Sequence, residues 1–235
     1  MFHVSILCGD LALEPDLSPL PSQCKRYHAA NDQLTKALAR QRSTPDRGFN
    51  KYLAGITAHN LAVCELLAGN DDEAVQLMEE AVILKENAFG KNHPEVGITW
   101  DELGIQYFAR GRFEDSLATF RKAYECRAAG SMSLLMVLNN MACCNLQLRN
   151  HRTALLQLDE ARALQQEQAK ADLDLLHVAV VMCNCGYLHL CLKQYEEARS
   201  LLEEALLIQQ SVLDDNHRAV RDTLSNIEFT NAFHS

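Results

Sequence analysis

Trp100-Asp101-Glu102-Leu103-Gly104-Ile105-Gln106-Tyr107, followed by Gly111, Phe113, Ser116, Phe120 and Ala123, decides how this chain is read, because its spacing of small and large residues returns three more times. Ala62, Gly104, Ala142 and Gly186 stand 38 to 44 residues apart. Twelve positions after each comes Ala74, Ser116, Ala154 or Ala198; four further on, Met78, Phe120, Leu158 or Leu202; three more, Ala81, Ala123, Ala161 or Ala205. Small side chains let two helix backbones approach, and a bulky one a turn away fills the neighbour's groove. Their alternation at helical spacing therefore specifies paired helices. A period near 40 residues is that of a stacked helical repeat.

Outward from this core the pattern breaks into partial units. Tyr27, Ala30, Leu34 and Ala37 match a second helix whose first is interrupted by Pro15, Pro19 and Pro21, and residues from Val220 to about Asn231 read as a first helix without a second. The expected fold is all-α: a right-handed superhelical solenoid of antiparallel helix pairs. Four full repeats are placed at about 52–90, 94–130, 131–170 and 175–212, with capping helices at about 22–41 and 218–232. Residues 1–21 are expected to be a loosely ordered tail ahead of a single solenoid over 22–235, and the stretch around Ser43-Thr44-Pro45 a helix break. The turn inside each pair carries Gly69 or Gly111 in the first two units, suited to a left-handed helix end, but Arg149 and Lys193 in the others.

The small-and-large arrangement resembles the tetratricopeptide repeat. Phe89-Gly90-Lys91-Asn92-His93-Pro94-Glu95-Val96, its counterpart Leu213 to Val220, and Leu138-Asn139-Asn140-Met141-Ala142 resemble the kinesin light chain subtype, whose units are joined by a Gly-x-x-His-Pro-x-Val stretch. Arg218 replaces the proline at the last joint, and the third and fourth units lack the stretch. The resemblance implies that first helices line a concave surface and second helices a convex one. It does not imply association with a motor, since no heptad-rich segment is visible.

Composition agrees with a folded, helical chain. Of 235 residues 48% are hydrophobic and 23% charged, and only Pro94 follows Pro45. A net charge of −9 disfavours nucleic acid and anionic membranes as partners. Nine cysteines, an odd number, and the absence of any Asn-x-Ser/Thr acceptor favour a reducing, cytoplasmic setting. The uncharged run Leu175 to Leu192 is near the minimum for a membrane span, but it keeps the repeat phase and is read as a first helix packed on both sides.

No phosphate loop, dinucleotide fingerprint, His-Glu-x-x-His or nucleophile elbow occurs, so no catalytic residue is assigned and the chain is read as non-enzymatic. Cys183, Cys185 and Cys191 lie near His189, and Cys143 adjoins Cys144. On a helix Cys183 and Cys185 point about 200° apart, which is no metal knuckle, and Cys185 takes the place of Leu61, Leu103 and Met141 elsewhere. No metal or other cofactor is expected.

First helices such as 131–148 and 175–192 are nearly free of charge, whereas second helices carry most of the Glu, Lys and Arg. The expected function is a scaffold or adaptor that takes an extended peptide or a helix of a partner protein in its groove. Asn60, Asn140, Asn184 and Asn226 fall at one repeat position, with Glu102 as the exception, and each Asn offers a donor and an acceptor to a peptide backbone. The preceding residues, His59, Asp101, Asn139, Cys183 and Ser225, vary and would read side chains; Ile105, Phe108, Leu146 and Tyr187 would supply apolar pockets. The competing role for the Asn row is hydrogen bonding between adjacent units. His59, Val63, Glu102 and Met136 occupy places where chaperone-binding relatives hold a C-terminal carboxylate, and none is Lys or Arg, so that clamp is not expected. Self-association or assembly through the end helices is the alternative function, a weak homo-oligomer included, and a metal- or thiol-dependent enzyme a third.

Overall fold

A computed structural model describes residues 21–43, 48–126, 132–168 and 175–233. These residues form ten α-helices and no strand. The expected tail over 1–21 and the break around Thr44-Pro45 lie outside the described residues, apart from Pro21, which starts the first helix, and Ser43.

The chain divides into two compact units, with the division at Arg127 and Ala128. In the first, α1 (Pro21–Arg42), α2 (Gly48–Ala68), α3 (Asp71–Phe89), α4 (Pro94–Ala109) and α5 (Phe113–Glu125) pack in sequence order, each against the next. Leu38, Ala58, Leu61, Ala62, Met78, Ala81 and Leu103 make its core. In the second, α6 (Met132–Gln147), α7 (His151–Gln168), α8 (Leu175–Cys191), α9 (Tyr195–Val212) and α10 (Arg218–Ala232) pack likewise, and α8 also meets α6 and α10. Its core includes Leu135, Leu138, Ala142, Leu158, Val181, Leu188 and Leu202.

Close approach within each helix pair has a measurable cause. A Cβ added at Gly104 would lie 2.6 Å from the ring of Phe120, and one added at Gly186 2.7 Å from Leu202 Cγ. Ser116, the small residue opposite Gly104, is fully buried and donates its hydroxyl to the Gly104 carbonyl at 2.7 Å. Small residues here are contact points between backbones, which is why they recur in step with the bulky ones.

All four tight turns share one geometry, glycine or not. Gly69 and Gly111 have φ of 81° and 71°, and Arg149 and Lys193 each have φ of 60°. Each closes with the same pair of backbone bonds, for example Arg149 N–H to the Leu146 carbonyl at 3.1 Å and Asn150 N–H to the Asn145 carbonyl at 2.7 Å. That pair of hydrogen bonds is the signature of a left-handed helix end, so the departures at Arg149 and Lys193 leave the turn intact at the expense of a strained φ. One side-chain contact also spans every turn, made with different chemistry each time. Asn70 donates to Glu65, Asn150 to Asn145, His189 pairs with Gln194, and the Arg112 guanidinium lies 4.4 Å above the Tyr107 ring.

The His-containing joints are helix starts. His93 and His217 both adopt extended N-cap geometry and accept, through Nδ1, the backbone N–H two residues on, each at 3.2 Å. Pro94 stands at the first helical position after His93, where its missing N–H costs nothing; Arg218 fills that place after His217 without changing the cap.

Candidate functional site

The polar chemistry of the first helices begins at a joint between successive units. Lys85, on α3 and only 2% exposed, donates to Thr99 Oγ1 on α4 at 2.9 Å and reaches the Glu95 carbonyl at 3.4 Å. Thr99 Oγ1 lies 3.2 Å from His59 Nδ1 on α2, and His59 Nε2 faces Glu102 Oε2 at 3.5 Å. Burial of the ring, aided by the charge of Lys85, pushes His59 down to about 4, so it is neutral at physiological pH. Burial likewise lowers Lys85, against the pull of Glu95 and Glu102.

The second unit repeats this joint with other residues. Gln209 on α9, buried, approaches Cys183 Sγ on α8 at 3.5 Å, and that sulfur lies 3.2 Å from Thr223 Oγ1 on α10. Lys85 and Thr99 are separated by 14 positions, as are Gln209 and Thr223; His59 and Thr99 by 40, as are Cys183 and Thr223. Two unrelated trios thus occupy equivalent places. His59 and Cys183, expected to face a partner, are both engaged in holding helices together. Lys85, Thr99, Gln209 and Thr223 were not singled out in the sequence, although their equal spacings were there to be read.

The other candidate residues fall into two environments. In the first unit Asn60 is exposed, and Asp101, Glu102, Ile105 and Phe108 are half-buried on α4, with Phe108 edge-on to Phe113 at 5.2 Å. The contact of His59 with Glu102 joins α2 to α4 directly. In the second unit Asn139, Asn140, Asn184 and Asn226 are all buried, along with Leu146. Asn184 donates to Asn139 Oδ1 at 2.9 Å and to Cys143 Sγ at 3.3 Å, tying α8 to α6. Asn139 Nδ2 and Asn140 Oδ1 are buried without a hydrogen bond. Tyr187 and Ser225 are half-buried. Hydrogen bonding between units, the competing role considered for the Asn row, is therefore realised at Asn184, while Asn60 keeps its amide free for solvent or a ligand.

Cys183, Cys185 and Cys191 are not poised as nucleophiles. Burial pushes Cys183 and Cys185 up to about 12 and also raises Cys191, which is the opposite of what an activated cysteine needs. Among the described residues no three His, Cys, Asp or Glu side chains gather as a metal site, and no helix is long and apolar enough to cross a membrane.

Two tetratricopeptide repeat family models match the chain, over residues 53–129 and 178–219. Among solved structures, BtubC (BKLC) from P. vanneervenii is similar with a TM-score of 0.67 at 20% identity, over 88% of this chain and 83% of that one. A kinesin light chain-type protein of Podosopora anserina with nearly identical TPR-like repeats gives 0.63 at 20% identity, over 80% and 90%. No curated protein matches the sequence.

Proposed function

Because the chain belongs to the tetratricopeptide repeat family, a family of protein-binding scaffolds, we propose that it is a non-catalytic cytoplasmic adaptor that takes an extended peptide segment along the inner faces of its first helices. The observation that carries this reading is exposed Asn60 on α2, adjoining the His59 that meets Glu102 on α4, where Asp101, Glu102, Ile105 and Phe108 are all half-buried. Asn60 offers one donor and one acceptor pair to a peptide backbone irrespective of sequence. Asp101 and Glu102 favour a basic residue in the ligand, and Ile105 and Phe108 an apolar one.

Selection of binding peptides from a random display library, followed by titration against Asn60→Ala/Glu102→Gln, tests the proposal. Selected peptides should bind the parent saturably and the double variant about tenfold more weakly, the loss of one backbone pairing and one charge contact. Unchanged affinity would refute the assignment of this face.

A further inference from the structure

The first unit carries a groove of about 760 Å³ between α3 and α5, floored by α4. Val82, Trp100, Leu103 and Tyr107 line its floor, and Ile83 stands on its edge with 60% of its surface exposed. Its rims are acidic: Glu79 and Glu86 on the α3 side, Asp115 and Glu125 on the α5 side, against Lys91 and Lys122. Glu79 accepts a hydrogen bond from Tyr107, and Asp115 pairs with Arg112 at 2.8 Å. Glu86 and Glu125 have no ion-pair partner among the described residues.

The floor already holds a cation of the protein's own. Lys122 Nζ sits 4.0 Å from the centre of the Trp100 ring, a cation–π geometry within the groove. The exposed apolar edge, the two unpaired carboxylates on opposite rims and the aromatic face that accepts an ammonium together define a complementary ligand. We propose that this groove is a second docking surface, for a short amphipathic helix of a partner protein whose apolar stripe is flanked on both sides by lysine or arginine. Asp115 to Glu125 spans ten helical positions, about 15 Å, which fits a ligand helix of roughly three turns. A second copy of this chain is a poor occupant, since its net charge of −9 sets the two in repulsion.

Trp100 is the chain's single tryptophan, so its emission reports the groove directly. The probe is a synthetic helix-forming peptide of about 18 residues with leucine at heptad a and d positions and arginine or lysine beside them; the control replaces the basic residues by glutamate. The basic peptide should change Trp100 emission saturably and in a salt-sensitive way, and the control should not. Glu86→Gln/Glu125→Gln should weaken binding about fivefold, two exposed charge contacts. Lys122→Ala, which uncovers the Trp100 face, should strengthen it about threefold. Asn60→Ala/Glu102→Gln should leave it unchanged, which separates this site from the inner-face reading. No saturable change with the basic peptide, equal binding of the control, an unchanged affinity in the Glu86/Glu125 variant, or a loss in the Asn60/Glu102 variant would each overturn the proposal. So would light scattering that shows a dimer dissociated by Glu86→Gln/Glu125→Gln.

Discussion

Acidification should loosen the first unit through one histidine. His59 is held at about 4 in the folded chain by burial, with Lys85 adding to the effect, whereas an unperturbed imidazole titrates near 6.5. Between these values the unfolded chain binds a proton that the folded one refuses. The contribution is therefore complete above pH 6.5 and is lost as pH falls toward 4. At pH 5 the loss is about 2 kcal/mol, and below pH 4 it approaches about 3 kcal/mol. The His59 side chain is only 14% exposed, so solvent screening reduces this little, although Glu102 at 3.5 Å would welcome the charge and trims it. His59→Gln keeps an acceptor for Thr99 and removes the titration. Urea unfolding followed by Trp100 fluorescence, which lies in the same unit, should show the parent losing about 2 kcal/mol more than the variant between pH 7.5 and 5.0. Equal losses in the two, within about 0.4 kcal/mol, would refute a neutral buried His59.

Three further outcomes follow from the same contacts. Thr99→Val strips the 2.9 Å partner from buried Lys85 and should cost about 2 kcal/mol in urea unfolding, whereas Lys85→Met removes the desolvated charge itself and should stay within about 1 kcal/mol of the parent. Gly104→Ala drives a methyl to 2.6 Å from the Phe120 ring and should cost about 1–3 kcal/mol, with Phe120→Leu in the same chain recovering part of it in a double-mutant cycle. Lys193→Gly relieves a non-glycine residue at φ 60° and should raise stability by about 0.5 kcal/mol, read by thermal unfolding of the second unit.

The helix pairs were legible because backbone approach at Gly104 and Gly186 is a steric requirement that only small residues meet, and such requirements leave a periodic trace. The turns at Arg149 and Lys193 were less so: a left-handed residue is favoured as glycine but not compelled to be one, and the two backbone bonds that close the turn are indifferent to side chain. The role of His93 and His217 as caps was hidden behind Pro94, the more conspicuous helix-start signal. Equal repeat position placed Asn60 and Asn184 together on paper, yet one is exposed and the other buried against Asn139 and Cys143. Burial depends on what the neighbouring helix presents, and the varied residues at the preceding position, His59 and Asn139 among them, carry that information only once the helices are packed. The Lys85–Thr99–His59 joint joins three helices, and its partners carry no shared residue type with Gln209–Thr223–Cys183 beyond the threonine.

Hydrogen–deuterium exchange of the full chain with and without a library-selected peptide tests the inner-face reading most directly. Added protection confined to 53–68 and 94–109 in the first unit, centred on Asn60 and Glu102, is the expected result. Protection that falls on α3 and α5 instead, or on no first helix, would contradict it.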